Sequence, residues 1–382
     1  MTDQRKHYWK GAIGFVLNIG PGARNSLLAF LTLGLITPGP ARPERAGTAF
    51  VMRGQGSVLL AKNLDWPVGE GIVFVNKRDV VKEAFGGSRA AGLRWTSKYG
   101  SVTFNQFGKE FPLGGINEAG LAIEELSAQA EYPPLDNRAC LNELQWIQYH
   151  LDTCRSTKEV LKSASGLRIS KALFELHYLI ADGKGNVAVI EFNDGQMAAT
   201  TGDTLPVAVL SNSRYAESLR TLGLHQGFGG ERIVSGGTGS SERFVRAAVA
   251  LREYRMLGQR PLLDHAFVVL KSVAQEDTQW SVAYNIPRRL VFFKTREHRR
   301  YKIIPLEGLD FSCRSPALMM PVTTELAGNL TRNLIPYRQQ ENRRLLESVF
   351  QALREKGELR DVPPSLAIQK MAAYPELCRC RD

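Results

Sequence analysis

Short apolar runs separated by glycine turns fill the first half of the chain, and they constrain its fold more than any other feature. Residues 49–53 and 57–61 are runs of strand length joined through Gly54 and Gly56, which predicts a β-hairpin. The glycine pair at residues 114–115 is predicted as a turn. Further strands are predicted at residues 72–77, 100–106, 120–124, 177–181, 187–192, 207–210, 279–284, 290–294 and 301–305.

Helical periodicity is confined to a few segments between and after these strands. Apolar side chains recur every three or four positions over residues 141–151, and a second helix is predicted over 157–164 after the capping residue Ser156. Residues 242–254 and the amphipathic stretch 339–356 are also predicted helices. Strands, then helices, then strands again suit antiparallel sheets covered by helices, an α+β architecture. Periodicity alone does not choose among the folds of that class.

Length and charge restrict the class of protein. After removal of an N-terminal leader, the 382 residues suit one large domain or one domain with an appendage. The formal net charge is +11, but the Lys and Arg residues are scattered and often adjacent to Asp or Glu. We therefore expect a solvated basic surface that attracts anionic molecules weakly, and no nucleic-acid groove.

The cysteine pattern argues against a disulfide framework or a zinc site. The five cysteines are few and irregularly spaced: Cys140, Cys154, Cys313, Cys378 and Cys380. Cys140 and Cys154 flank a predicted helix and are expected to be small buried residues. The pair Cys378 and Cys380 near the C-terminus is expected to lie in a frayed tail.

The N-terminus resembles a secretory signal. Arg24 precedes the apolar run 26–36, and the small residues Gly39 and Ala41 suit a cleavage before Arg42. The apolar run is too short to span a bilayer, so no stable membrane insertion is expected after processing. Export to a bacterial periplasm or to the outside follows from this interpretation. A buried core helix is the alternative.

Several segments together resemble one known family. They are residues 47–51 (GTAFV), 59–66 (LLAKNLDW), 103–121, 210–213 (LSNS) and 240–246 (SSERFVR). Over residues 47–317 the chain is similar to the choloylglycine hydrolases and penicillin V acylases, which are N-terminal-nucleophile hydrolases. The resemblance implies a four-layer αββα sandwich of two antiparallel sheets. It also implies a leader over residues 1–46 (signal about 24–41 plus a short propeptide), a hydrolase domain over 47–337 and a C-terminal helical extension over 338–382.

The resemblance places Gly47 where the family has its nucleophilic cysteine. In the family, cleavage makes that cysteine the first residue, and its α-amine, with a pKa of about 7.7 to 8.0, acts as the general base. Glycine keeps the amine and lacks the thiol. Asp65 is implied to accept a hydrogen bond from the amine. Lys62 stands where bile-salt hydrolases carry an arginine, and it cannot form the bidentate contact of a guanidinium.

Three further positions follow from the same resemblance. Asn212 is implied to donate to the oxyanion of the tetrahedral intermediate, a type of contact that stabilises the transition state by about 3 to 4 kcal/mol. Arg243 is implied to point into the active site, whereas Arg246 is expected to be structural or solvated. Ser127 lies near a substrate-polarising asparagine of bile-salt hydrolases, and its shorter side chain leaves the second oxyanion donor open.

The implied function is hydrolysis of linear amides without a metal or other cofactor. Candidate substrates are small N-acyl amides: penicillin V, conjugated bile salts and acyl homoserine lactones. Because position 47 is glycine, the chain as written is expected to be inactive. Two alternatives stay open, a non-catalytic acyl-amide-binding protein and a variant that uses Thr48 as nucleophile. The resemblance also implies a homotetramer.

Overall fold

The computed structural model describes residues 47–86, 92–257, 260–358 and 363–381, so the predicted leader, residues 1–46, lies outside the described residues. The strands are β1 Gly47–Gly54, β2 Ser57–Asp65, β3 Ile72–Asn76, β4 Val80–Glu83, β5 Arg94–Thr96, β6 Ser101–Asn105, β7 Gly114–Asn117, β8 Leu121–Ser127, β9 Ala139–Asn142, β10 Leu167–Ser170, β11 Leu176–Asp182, β12 Val187–Asn193, β13 Gln196–Thr201, β14 Val209–Leu210, β15 Thr278–Asn285, β16 Leu290–Thr295, β17 Lys302–Pro305, β18 Leu318–Pro321, β19 Gly328–Asn329, β20 Ile335–Pro336 and β21 Arg379–Cys380. The helices are α1 Glu143–Thr153, α2 Thr157–Ser165, α3 Tyr215–Leu222, α4 Ser240–Leu257, α5 Leu262–Ser272, α6 Gln339–Glu355 and α7 Ser365–Ala373.

Two large sheets carry most of these strands. One has seven strands in the order β14-β1-β2-β15-β16-β17-β19, and the other has nine in the order β13-β12-β11-β8-β7-β6-β3-β18-β20. Pairing is antiparallel throughout, except that β17 and β19 are parallel. Strands β9 and β10 form a small parallel pair, and β21-β4-β5 form a third, three-stranded sheet.

The sheets face each other and helices cover their outer faces. Strands β1 and β2 contact β8 and β11 across the interior, α4 and α5 pack on β1 and β2, and α1 packs on β7 and β8. The predicted α+β four-layer αββα sandwich is therefore confirmed. Its apolar core is continuous, because alternate residues of the inner strands point into the space between the sheets.

The register of the first hairpin decides which residues enter that space. Gly47 pairs with Leu64, and Thr48 pairs with Asn63. A Cβ at Gly47 would lie 3.1 Å from Leu126 Cδ2 on β8, so this face points between the sheets. The Asn63 side chain instead donates to the Leu270 carbonyl oxygen of α5 at 2.8 Å. Thr48 and Asn63 therefore face the helices.

Several sequence predictions are confirmed at this level. The first hairpin forms as predicted, and Ser156 caps α2 by accepting from the Glu159 N–H at 3.3 Å. The predicted C-terminal amphipathic helix is α6, which buries Leu345, Val349 and other apolar side chains.

Two predictions are wrong. The glycine pair 114–115 begins strand β7, and it is glycine because a Cβ at Gly114 would lie 2.3 Å from the Glu124 carboxyl group. The C-terminal cysteines do not lie in a frayed tail. Cys380 forms a disulfide with Cys313, and β21 pairs with β4. Cys140, Cys154 and Cys378 are free thiols.

Candidate active site

A narrow cavity lies at the start of β1, between the two sheets. Its free volume is about 30 Å³, room for about one water molecule. We call it the acyl cavity, after the acyl group that the family resemblance implies for this site. Its lining is Gly47, Lys62, Asn63, Leu64, Asp65, Trp66, Gln106, Phe107, Leu113, Glu125, Leu126, Ser127, Phe174 and Leu176. Four of the predicted site residues, Gly47, Lys62, Asp65 and Ser127, are thus brought together here, although they come from three separate parts of the chain.

A second cavity adjoins the first. It has about 290 Å³ of free volume and shares Ser127 and Phe174 with the acyl cavity. Asn212 also lines it, together with residues of the 128–129 and 171–175 segments. A molecule that spans both cavities would therefore pass Ser127 and Asn212.

Asn212 is bonded directly to the nucleophile position. Its Oδ1 accepts from the Gly47 N–H at 2.8 Å and from Arg243 Nη2 at 2.9 Å. Because a guanidinium carries only donors, the atom facing Arg243 must be the amide oxygen. The amide nitrogen then points to the Ser127 carbonyl oxygen, 2.8 Å away. Ser127 thus meets Asn212 through its backbone, and the donor end of Asn212 lies at the junction of the two cavities.

Arg243 holds the start of β1 from the helix side. It is almost fully buried, and its Nη1 donates to the Gly47 carbonyl oxygen at 2.5 Å and to Thr48 Oγ1 at 2.8 Å. Its Nε donates to the Thr238 carbonyl oxygen at 3.0 Å. The Thr48 hydroxyl is therefore engaged by Arg243 and faces α4 rather than the acyl cavity. Arg246, one turn later, donates to three backbone carbonyl groups of the neighbouring segments, which confirms its structural role.

A buried serine hydroxyl positions Asn212 relative to Arg243. Ser240 Oγ, at the first residue of α4, accepts from the Ser213 N–H at 2.8 Å and lies 2.9 Å from Ser211 Oγ. The residues on both sides of Asn212 are thereby fixed to the helix that carries Arg243. Sequence reasoning missed Ser240, although a serine at a predicted helix start is a recognisable signal.

Asp65 is a buried acid with one unpartnered oxygen. Its Oδ1 accepts from Thr278 Oγ1 at 2.5 Å, and Oδ2 has no hydrogen-bond partner among the described residues. Burial raises the pKa of Asp65 to about 7, against the lowering effects of the Thr278 hydrogen bond and of Arg243. The Gly47 nitrogen, a peptide N–H in the uncleaved chain, donates to Asn212 and not to Asp65.

Lys62 is neutralised by two neighbouring acids. Its Nζ lies 2.8 Å from Glu125 Oε1 and 3.1 Å from Glu124 Oε2, and all three side chains are buried. Burial alone would lower the pKa of Lys62, but the two carboxylates outweigh burial and raise it. Burial raises the pKa of Glu124 to about 7, although Lys62 and a hydrogen bond from Tyr284 oppose the shift. The two acids were missed, and their signal is an adjacent Glu pair inside an otherwise apolar strand.

No cluster of three or more His, Cys, Asp or Glu side chains in the described part of the chain is placed to hold a metal ion. Within the described ranges, none of the helices combines the length and the apolar character needed to cross a lipid bilayer.

Comparison with known proteins finds one similar family. The choloylglycine hydrolase family of linear amide C-N hydrolases matches residues 48–227. The penicillin V acylase of Pectobacterium atrosepticum is 30% identical over 246 residues, which cover 59% of this chain and 64% of the acylase. The matched part thus spans less than two thirds of that relative.

Solved structures show the same fold. A penicillin V acylase from Agrobacterium tumefaciens superposes with a TM-score of 0.66 at 26% identity, covering 76% of this chain and 98% of the acylase. A variant of the conjugated bile acid hydrolase from Clostridium perfringens gives a TM-score of 0.60 at 15% identity, covering 74% and 98%, and supports the fold alone. Over residues 48–227 the chain is similar to the choloylglycine hydrolase family of linear amide C-N hydrolases, and the solved structures show that it shares their fold.

Proposed function

We propose that this chain binds N-acyl amides of the class that its family hydrolyses, and that it does not cleave them by a cysteine mechanism. One observation carries the proposal. The group that would polarise the amide, Asn212, is bonded to Gly47 and Arg243 beside the acyl cavity, but position 47 offers only backbone atoms. The groups that would bind an amide are therefore close together, but the thiolate that would attack its carbonyl carbon is missing.

The two adjoining cavities suit the two halves of an amide. The acyl cavity is lined by aromatic and aliphatic side chains, Phe107, Phe174 and Leu176 among them, so it favours an apolar acyl group. The wider cavity beyond Ser127 and Asn212 is open to the amine half. Asn212 Nδ2 has a second hydrogen that can donate to the amide carbonyl oxygen where the cavities meet.

Penicillin V is our first candidate ligand. Two relatives are penicillin V acylases, and the aromatic acyl group of penicillin V matches a cavity walled by Phe107 and Phe174. Conjugated bile salts and acyl homoserine lactones are the further candidates. Because the acyl cavity has only about 30 Å³ of free volume, any of these acyl groups must displace side chains that line it.

The buried position of Thr48 favours binding over a threonine nucleophile. Thr48 is fully buried, its hydroxyl accepts from Arg243, and it faces the helix layer. An attack by this hydroxyl on a carbonyl in the acyl cavity would require the strand to turn over.

Calorimetric titration with penicillin V and turnover assays test the proposal. The wild-type chain should bind penicillin V and release no product, whereas Gly47→Cys should hydrolyse it. The added Cβ needs Leu126 Cδ2 to move by a few tenths of an ångström, which the free end of a leucine allows. Gly47→Ala is the matched control, since it makes the same demand on Leu126 and adds no thiol.

The outcomes separate the three hypotheses. Hydrolysis by wild type and by Gly47→Ala, abolished by Thr48→Val, would replace the proposal with a threonine mechanism. Failure of wild type to bind any amide of the panel would refute the binding function. The intact mass of each purified variant reports whether residues before Gly47 have been removed.

Export is proposed together with this function. The Cys313–Cys380 disulfide supports it, because disulfides persist mainly in oxidising compartments. Finding the chain in the periplasmic fraction with the disulfide formed is the expected result, and a cytoplasmic, fully reduced chain would contradict it. The homotetramer implied by the family stays a prediction, which sedimentation of the purified chain can check.

A further inference from the structure

We propose that the C-terminal segment, residues 338–358 and 363–381, is the outer wall of the acyl cavity, and that Phe350 on α6 limits the size of the acyl group by backing Phe107. The inference rests on the proposed binding function and concerns which acyl groups fit. Helix α6 lies outside residues 48–227, the part of the chain that the family match covers.

Phe107 is held between two other aromatic rings. Its ring centroid lies 4.9 Å from that of Phe174 and 5.6 Å from that of Phe350. Phe107 and Phe174 line the acyl cavity, whereas Phe350 lies behind Phe107. All three side chains are buried. An acyl group that displaces Phe107 away from Phe174 would press its ring against Phe350.

The backbone after Phe107 is fixed to α6 as well. Gly108 adopts φ of 88°, and a Cβ there would lie 2.9 Å from Leu346 Cδ1 of α6. The Lys109 N–H donates to Asn342 Oδ1 at 2.8 Å, and Asn342 Nδ2 donates to the Ala372 carbonyl oxygen of α7 at 3.2 Å. The fully buried Asn342 thus links the cavity loop to both helices of the C-terminal segment.

The next residue of the loop holds an unusual backbone conformation. Glu110 has φ of 75°, a region that non-glycine residues rarely adopt. Its buried carboxylate is paired with Lys82 at 2.5 Å and with Lys109. Such a conformation persists only where its surroundings determine it, so the loop resists movement independently of the Phe107 ring.

The end of the C-terminal segment is tied to the body of the protein. The Tyr374 hydroxyl donates to the Glu83 carbonyl oxygen at 2.5 Å, β21 pairs with β4, and the Cys313–Cys380 disulfide closes the end covalently. The residues that follow α7 are therefore fixed to β4 and to Cys313, and α6 is fixed to the loop through Asn342. We therefore expect α6 to resist displacement when Phe107 is pushed against it.

The test compares Phe350→Ala with Leu353→Ala, a truncation of another fully buried side chain on the same helix. Titration calorimetry gives the dissociation constants of penicillin V and of a small N-acetyl amide for both variants and for wild type. A large acyl group crowds Phe107 against Phe350, and the smaller side chain in Phe350→Ala removes that crowding. Phe350→Ala should therefore bind penicillin V about tenfold more tightly than wild type does, when each dissociation constant is divided by that of the acetyl amide. Leu353→Ala should lose stability and keep the wild-type ratio of the two constants.

Each result bears on a different claim. An unchanged ratio in Phe350→Ala, or an equal change in both variants, would overturn the role of Phe350 while wild-type binding still upheld the proposed function. If wild type and both variants bind neither amide, the proposed function fails and this inference fails with it. A general loss of folding would lower both affinities together and would not move their ratio.

Discussion

Asp65→Asn should make the stability of the protein less dependent on pH, and the structure fixes the direction. Burial raises the pKa of Asp65 to about 7, so the folded state holds a proton that the unfolded chain, with its ordinary value of 3.8, has released. A raised acid pKa contributes stability at low pH, and that contribution is lost as pH rises from the unfolded to the folded value. Asparagine keeps an oxygen for Thr278 and is neutral at every pH, so it removes this dependence.

The magnitude follows from the two pKa values. Each pH unit between them changes the unfolding free energy by about 1.4 kcal/mol. Between about pH 5 and about pH 8 the Asp65 contribution should fall by about 2.5 kcal/mol. Glu124 titrates in the same range, with its pKa also raised to about 7, so only the difference between wild type and variant isolates Asp65.

Urea unfolding at the two pH values measures this difference. The free energy of unfolding of wild type minus that of Asp65→Asn should decrease by about 2.5 kcal/mol from the lower to the higher pH. Asp203→Asn, which removes an exposed carboxylate, is the control and should show a flat difference. A flat difference for Asp65→Asn as well would show that the buried acid is ionised throughout, and the reasoning from its unpartnered oxygen would be wrong.

Two further predictions concern the stability of the fold. Lys62→Met should lower the unfolding free energy, measured by urea unfolding, by about 3 to 5 kcal/mol, because it leaves two buried acids without their cationic partner. Adding Glu124→Gln and Glu125→Gln should restore most of this loss. A Lys62→Met protein as stable as wild type would contradict the pairing. Cys380→Ser should cost about 2 to 4 kcal/mol in thermal unfolding by opening the loop closed with Cys313, and it should make the melting temperature insensitive to reductant, whereas equal sensitivity in variant and wild type would show that the bond is unimportant.

Local signals explain what the sequence predicts well. The first hairpin was recognisable because two apolar runs of strand length are joined by two turn glycines, and Ser156 likewise marks the start of α2. The turn predicted at Gly114-Gly115 was wrong because glycine also occurs where another group packs closely against the backbone. Here the missing side chain of Gly114 leaves room for the Glu124 carboxyl group. Strand β13, the helices α3, α5 and α7, and most strands of two to four residues carry no such signal and were not predicted, whereas the short strands β14 and β17 were.

Contacts between distant residues could not be predicted from local patterns. The site depends on Asn212 meeting Gly47 across 165 positions, and only the family resemblance indicated it. The disulfide joins residues 67 positions apart, and spacing gave no hint of it. The pairing of Lys62 with Glu125 likewise depends on the approach of two sheets, which sequence periodicity does not encode.

The pairing of β1 with β2 has a consequence for where a nucleophile can be placed on β1. Along a pleated strand only every second residue points to the same side, so below Gly47 the next β1 side chain facing the space between the sheets belongs to Ala49. A reactive side chain moved by one position along β1 would point toward the helices instead. Turning it back toward the space between the sheets would require the register of the whole hairpin to shift by one residue. Position 47, unlike position 48, therefore lets a side chain on β1 reach the acyl cavity, because the pleat of the strand and not the chemistry of the residue sets its direction.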